Sequence, residues 1–171
     1  MSTVHLNWHT PDRLVASKMY YCIMPIGSLS IQMHASLVGK IEWLNNKTCE
    51  PSPHIPMQLE QALHHYWHTG KTDNTIRLLE QGTAFQQKVW QALCCIPIGQ
   101  TKTYGELART LNTSPRALAN ACRSNPFPLI IPCHRVIAKT GLGGYAGQTS
   151  GAMLTIKQAL LRFEKTLTHE L

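Results

Sequence analysis

Apolar and polar residues alternate through Leu29-Ser30-Ile31-Gln32-Met33, the period of a strand with one face buried. Just upstream, Tyr20-Tyr21-Cys22-Ile23-Met24 is a second strand candidate, and Pro25-Ile26-Gly27-Ser28 between the two is a turn signal. Gly39 punctuates the chain before Lys40-Ile41-Glu42-Trp43, which reads as a third strand, so the pattern predicts an antiparallel meander. Residues 45–56 hold three prolines and no period and are expected to form a loop. Met57 to His68 carries Leu59, Leu63 and Tyr66-Trp67 at helical spacing, and Gly70-Lys71-Thr72-Asp73-Asn74 ends that helix as a loop.

Past residue 80 the period becomes helical. Thr83 caps a helix with Phe85, Val89 and Leu93 at i, i+4 and i+8 and Trp90 beside them, and Pro97-Ile98-Gly99 stops it. Thr103 caps the next helix, whose stripe is Leu107, Ala108 and Leu111. Asn112-Thr113 turn the chain, and Ser114 caps a third helix with Pro115 at its first position, running to about Arg123. Helix, short turn and helix form a helix-turn-helix pattern. A last helix, about Ala152 to Leu167, buries Ile156, Leu160 and Phe163. The change of period divides the chain into an N-terminal unit, 1–80, and a C-terminal unit, 81–171.

Composition narrows the partners. With 171 residues of which 43% are hydrophobic, there is enough apolar mass for a real core. Sixteen Lys and Arg against nine Asp and Glu give a net charge of +7, which favours an anionic partner without identifying it. Six cysteines are present, but Met1-Ser2-Thr3-Val4-His5 opens no apolar signal segment and no stretch reaches the roughly 20 apolar residues of a membrane span. The expectation is an intracellular, cytoplasmic protein with reduced thiols and no membrane association. No CxxC spacing occurs, and Cys94-Cys95 are neighbours that cannot readily share one metal. Cys22, His34 or His54 could serve in a zinc site, but neither a metal nor a cofactor is expected.

The candidate chemistry lies at Pro132-Cys133-His134-Arg135-Val136. Asn125-Pro126-Phe127-Pro128 and the apolar run Leu129-Ile130-Ile131, read as a buried strand, lead into it. A thiol beside an imidazole and a guanidinium is a reasonable nucleophile, because cationic neighbours raise its thiolate fraction. The local run alone favours the plainer alternative, a buried structural cysteine followed by a surface His-Arg.

The wider pattern is more specific. Gly82-Thr83-Ala84-Phe85-Gln86-Gln87-Lys88-Val89-Trp90, Ile96-Pro97-Ile98-Gly99, Thr103-Tyr104-Gly105-Glu106-Leu107-Ala108, Asn125-Pro126 and Ile131-Pro132-Cys133-His134-Arg135-Val136-Ile137 together resemble the O6-alkylguanine-DNA alkyltransferase family. Pro25-Ile26-Gly27-Ser28-Leu29 resembles that family's first hairpin, and the likeness extends from about residue 20 to Glu164. The resemblance implies an α+β fold: a small N-terminal antiparallel sheet with a helix, ribonuclease H-like, and a C-terminal helical domain with a winged-helix-like helix-turn-helix.

By the same resemblance Cys133 is the acceptor, taking the alkyl group from O6 of guanine in an SN2 displacement and being consumed. His134 is the general base, acting through a water, and Glu164 orients it as in a triad. Asn125 is a hinge that holds the active-site loop. Tyr104 contacts the flipped base, and Arg116 fills the gap it leaves. Gln86 and Lys139 fall where the family contacts phosphates. The third helix is implied to enter the minor groove, with the small residues Ala117, Ala119 and Ala121 allowing close approach. Cys133, Val136 and Ala146 would offer backbone groups to the guanine, Tyr145 and Pro128 would wall the alkyl group, and Cys122 faces the pocket with no assigned role. The implied partner is double-stranded DNA carrying alkylated guanine, bound by a monomer.

Two departures from the family pattern stand out. Arg116-Ala117-Leu118-Ala119-Asn120 lacks the glycine many members carry near 119 or 120. Between Tyr145 and Lys157 the chain is longer than usual, through Gln148-Thr149-Ser150-Gly151-Ala152-Met153, beside the alkyl pocket. Three other readings fit the residues less well. A non-catalytic lesion-binding relative would have replaced Cys133. A helix-turn-helix regulator leaves the Pro-Cys-His-Arg run unexplained. A cysteine hydrolase needs an oxyanion hole that nothing in the sequence requests.

Overall fold

The computed structural model describes residues 5–11, 13, 15–44, 50–71 and 75–169. Cys49 and Thr72-Asp73-Asn74, assigned above to loops, and the opening Met1-Ser2-Thr3-Val4 lie outside the described residues.

The architecture is mixed α+β. The three predicted strands form as β2 (Ser17–Met24), β3 (Gly27–His34) and β4 (Leu37–Leu44), each antiparallel to the next. Their alternation buries Leu29, Ile31 and Ile41 almost completely against the helical side. Two further strands extend the sheet beyond the predicted meander. Short β1 (Trp8–His9) and β5 (Leu78–Leu79) add in parallel to give the order β1-β5-β4-β3-β2. Each is two residues long, too short to carry a period.

Helix α1 (Met57–Thr69) turns Leu59, Ala62, Leu63 and Tyr66 inward. It ends at Gly70, whose φ of 63° is left-handed and whose N–H returns to the Tyr66 carbonyl. A Cβ there would lie 1.7 Å from Ile98 Cδ1, so this cap demands glycine for space as well as for backbone conformation.

Helices α2 (Ala84–Cys94), α3 (Tyr104–Thr110) and α4 (Pro115–Arg123) start where the caps predicted. Thr83 with Gln86 and Thr103 with Glu106 form reciprocal capping boxes, and Ser114 Oγ accepts from Ala117 N. The turn between α3 and α4 passes through Asn112 at φ 52°. Trp90 of α2 donates its indole N–H to the Ala121 carbonyl of α4 at 2.9 Å, locking the two helices together. Phe85, placed on the buried stripe of α2 by its spacing, is instead 39% exposed; Val89, Trp90, Leu93 and Cys94 form the inner face.

The run Leu129-Ile130-Ile131 is a set of turns rather than a strand. Leu129 sits at φ 76°, and Ile131 N bonds back to the Phe127 carbonyl at 2.8 Å. The segment then forms a 3-10 turn, Cys133–Arg135, followed by β7 (Val136–Ile137), which pairs in parallel with β6 (Lys102–Thr103). Helix α5 (Ala152–His169) closes the fold, and its buried positions Met153, Ile156, Lys157, Leu160 and Glu164 follow one helical stripe. Among the described residues, no helix is long and apolar enough to cross a membrane, and no group of three or more His, Cys, Asp or Glu is placed to hold a metal ion.

Candidate active site

Asn125 fixes the approach to Cys133. It follows α4, where Ser124 ends the helix, and its side chain makes three contacts. Its Oδ1 accepts from Phe127 N at 2.9 Å, and its Nδ2 donates to the Ile131 carbonyl at 2.8 Å and to Cys133 Sγ at 3.1 Å. One amide thus folds the two prolines and the apolar run into a compact turn and aims a donor at the sulfur. That contact favours a thiolate.

The 3-10 turn delivers three side chains to different places. Cys133 is 7% exposed and borders an opening between α4 and the Gly144–Thr149 loop. His134 is completely buried, and so is Glu164, reaching in from α5. Glu164 Oε1 accepts from His134 Nε2 at 2.8 Å. Arg135, placed on the surface by one local reading, is 6% exposed and grips the same carboxylate: Nε lies 2.9 Å from Oε2 and Nη2 lies 2.8 Å from Oε1. The remaining Arg135 donors reach the Ile96 carbonyl at 2.7 Å and the Gly70 carbonyl at 3.1 Å. Glu164 also accepts from Tyr66 Oη at 2.9 Å and from Gly99 N at 3.2 Å. Burial alone would raise this carboxyl, but the His134 and Arg135 contacts hold it down at about 2.

These contacts set the protonation of the site. Burial lowers the His134 pKa, outweighing the opposing pull of Glu164, so the imidazole is neutral. With Nε2–H donated to the carboxylate, Nδ1 carries the lone pair. Among the described residues that buried Nδ1 has no hydrogen-bond partner. Burial likewise raises the Cys133 thiol above its ordinary value; the Asn125 contact and the Lys157 charge pull against it without reversing the shift. The resting sulfur is therefore a protonated thiol that needs a base. Burial thus outweighs the cationic influence that raises the thiolate fraction. The Arg135 charge is matched by Glu164, and the cation that acts on the sulfur is Lys157.

Lys157 is the residue that sequence reasoning missed most completely. Fully buried, its ammonium donates to the carbonyls of Val136 at 2.6 Å, Leu142 at 2.7 Å and Gly144 at 2.9 Å. It thereby ties the loop after β7 to α5. Burial lowers its pKa to about 8. The signal was present: Lys157 and Glu164 are charged residues on the apolar stripe of α5. Tyr66 and Trp43 were also missed; Trp43 Nε1 donates to Tyr145 Oη at 3.0 Å, joining the sheet to the pocket wall.

Of the other residues singled out, Tyr104, Cys122, Tyr145 and Ala146 do line the opening with Cys133, a cavity of about 240 Å³. Tyr104 Oη donates to the Gly144 carbonyl at 3.4 Å. The turn at Tyr145-Ala146-Gly147-Gln148 is pinned by reciprocal backbone bonds, with Ala146 at φ 48°. Pro128 lines an adjoining opening that also borders Cys133 and Tyr145. Val136 is fully buried behind the sulfur; its N–H is bonded to the Cys133 carbonyl and its carbonyl to Lys157, so both backbone groups already have partners. Arg116, Gln86 and Lys139 do not enter the cavity. Arg116 is exposed in the first turn of α4, Lys139 is exposed after β7, and Gln86 Oε1 accepts from Thr83 N at 2.8 Å as part of a helix cap.

Known proteins share this arrangement of sequence and fold. Residues 84–166 match the family model described as 6-O-methylguanine DNA methyltransferase, DNA binding domain. The methylated-DNA–protein-cysteine methyltransferase of Mycobacterium bovis is 37% identical over 152 residues, covering 83% of this chain and 88% of that protein. The protein of that name from Methanosarcina mazei is 48% identical over 93 residues, 53% of this chain and 56% of that one. A crystal structure of Mycobacterium tuberculosis O6-methylguanine methyltransferase matches with a TM-score of 0.72 at 34% identity, over 88% of this chain and 94% of that chain. A structure of Mycobacterium tuberculosis OGT in complex with DNA matches at 0.70 and 36%, over 87% and 93%. With a relative at this identity spanning most of both chains, the protein belongs to the methylated-DNA–protein-cysteine methyltransferase family.

Proposed function

We propose that the protein repairs DNA by direct reversal, moving the alkyl group of O6-alkylguanine irreversibly onto Cys133. The observation that carries this reading is the buried His134 imidazole. Its Nε2 is held by Glu164 at 2.8 Å and its Nδ1 has no partner among the described residues, one residue from a protonated thiol.

In this reading a water takes the Cys133 proton and passes one to His134 Nδ1. The sulfur then forms a bond to the alkyl carbon while the carbon–O6 bond breaks and its electron pair stays on oxygen. A proton returned to the base leaves neutral guanine. The carboxylate of Glu164 stabilises the imidazolium that forms between the two transfers. A thioether is not hydrolysed, so each molecule acts once. Asn125 and Lys157 act on the sulfur as positioning groups: one by its hydrogen bond, the other by its charge and its hold on the loop.

The DNA would be engaged by residues 81–171, a winged-helix-like unit, with residues 1–80, ribonuclease H-like, supporting the site from behind. The lesion must leave the stack to reach Cys133, at a cost of a few kcal/mol. Tyr104 at the cavity would meet the flipped base, and exposed Arg116 would fill the gap it leaves. Small residues on α4 suit a minor-groove approach, and minor-groove readout suits a protein that must act in any sequence. Gln86 and Lys139 would contact phosphates, and the working form is a monomer bound to cellular DNA, in the cytoplasm and nucleoid of a prokaryote or the nucleus of a eukaryote.

A duplex with one O6-methylguanine tests the reading. Excess protein should return the lesion to guanine, seen in the mass of the oligonucleotide, and Cys133→Ala should leave it methylated. Restoration by Cys133→Ala would refute the assignment.

A further inference from the structure

Helix α1 buries Leu59, Ala62, Leu63 and Tyr66 and leaves His64, His65 and His68 exposed on its outer side. His64 and His68 are four residues apart, so they share one face of the helix. Their rings stand together, with centroids 4.2 Å apart and planes 26° from parallel. Neither borders the openings beside Cys133.

The protons on this pair can be placed. His68 Nδ1 lies 2.8 Å from the His64 carbonyl. A carbonyl oxygen only accepts, so Nδ1 carries the proton and Nε2 of the neutral ring carries the lone pair. That is the arrangement of a metal-bound imidazole, whose second nitrogen commonly donates to a backbone carbonyl and so fixes the ring. Among the described residues, nothing bonds to Nε2 of His68 or to either ring nitrogen of His64. A tetrahedral ion roughly 2.0–2.1 Å from each of two nitrogens holds them about 3.3 Å apart. Rings with centroids at 4.2 Å reach that spacing by rotation of side chains that already face water.

We propose that His64 and His68 form a metal site on the outer face of α1, taking a divalent ion of the nickel, copper and zinc class. Imidazole nitrogens suit these ions, whereas magnesium and calcium prefer oxygen ligands. The protein supplies two ligands and water fills the remaining positions, so the site is open and separate from the Cys133 machinery. Chelation closes a ring across residues 64–68, the last turn of α1. That turn carries Tyr66, the donor to Glu164, and leads to Gly70, whose carbonyl accepts from Arg135. An ion on the outer face therefore clamps the turn whose inner face supports the carboxylate. The two nitrogens converge only on the formed helix, so the ion binds the folded chain in preference to the unfolded one and stabilises it.

Thermal unfolding of the full chain in nickel chloride tests the site. Nickel is the probe because zinc is drawn also to cysteine sulfur. The wild-type melting temperature should climb with the logarithm of nickel concentration, by several degrees at about a hundredfold excess over the dissociation constant. Magnesium chloride at the same concentrations should give no such rise. His64→Ala and His68→Ala, both at exposed helix positions, should each lose most of the rise, and His65→Ala, off the shared face, should keep it. Melting curves without metal report the folding of each variant. Protons compete for the same nitrogens, so the rise should fade between about pH 7.5 and about pH 5.5. No rise in the wild type, an equal rise with magnesium, a full rise in His64→Ala or His68→Ala, or a rise that persists at the lower pH overturns the site.

Discussion

The Tyr66 phenol donates a 2.9 Å hydrogen bond to Glu164 Oε1, the same oxygen that accepts from His134 Nε2. A residue on α1 therefore supports the carboxylate that orients the base, across 98 positions of sequence. Burial keeps the phenol protonated, so it is a permanent donor. Tyr66→Phe should cost roughly 1.5–3 kcal/mol, the usual worth of a hydrogen bond to a charged group. It should also slow transfer, by about tenfold or less, because Arg135 and Gly99 still hold the carboxylate. Urea unfolding and single-turnover kinetics read the two effects; unchanged values in both would remove Tyr66 from the site.

Folding keeps His134 neutral and Glu164 ionised, and both predict acid sensitivity. The folded His134 pKa lies below the ordinary 6.5, so under that pH the unfolded chain binds a proton that the folded chain refuses. Glu164 is held at about 2 against an ordinary 4.5, so between those values the unfolded chain is again the more protonated. In both windows stability falls as pH falls. Melting temperature should decline from neutral pH downward, His134→Asn flattening the slope just below 6.5 and Glu164→Gln flattening it below 4.5. A melting temperature constant from pH 7 to 4 would contradict this.

Lys157 satisfies three buried carbonyls at once. Replacing it by methionine keeps the stem but strands those acceptors. The loss should be about 2–3 kcal/mol, less than three separate penalties because burying the ammonium is itself unfavourable. Limited proteolysis should then cut between residues 138 and 150 faster than in the wild type. Wild-type stability and wild-type cleavage together would contradict the role.

Much of this site is legible in the sequence, but not its wiring. The caps at Thr83, Thr103 and Ser114 announce three helices because capping is local chemistry. Cys133, His134 and Asn125 stand in a spacing specific enough to identify a family. The destination of Arg135 is not legible, because adjacency in sequence says nothing of where a long side chain ends; it turns from the thiol to Glu164. Leu129-Ile130-Ile131 has the apolar content of a buried strand, and only the Asn125 contacts and the left-handed Leu129 make it a turn. Lys157 stands out in the sequence only as a charge on the apolar stripe of α5; what it holds is not legible, because its partners are backbone carbonyls, which leave no trace in residue type. Strands β1 and β5 pair over long sequence distances and are too short for any period to show.

Arg116 is exposed at the start of α4, away from the cavity. If it fills the stack vacated by the lesion, its value is confined to duplex substrates. Arg116→Ala should slow repair of O6-methylguanine in DNA by about tenfold or more while leaving reaction with free O6-benzylguanine nearly unchanged. Equal loss on both substrates would exclude the role.

The central claim is that Cys133 is a terminal acceptor. Intact-mass analysis after incubation with excess O6-methylguanine duplex tests it most directly. The account predicts a gain of one methylene unit per protein molecule, located at Cys133, no further guanine release once that gain is complete, and no gain in Cys133→Ala. Unchanged protein mass alongside continued release of guanine would contradict it.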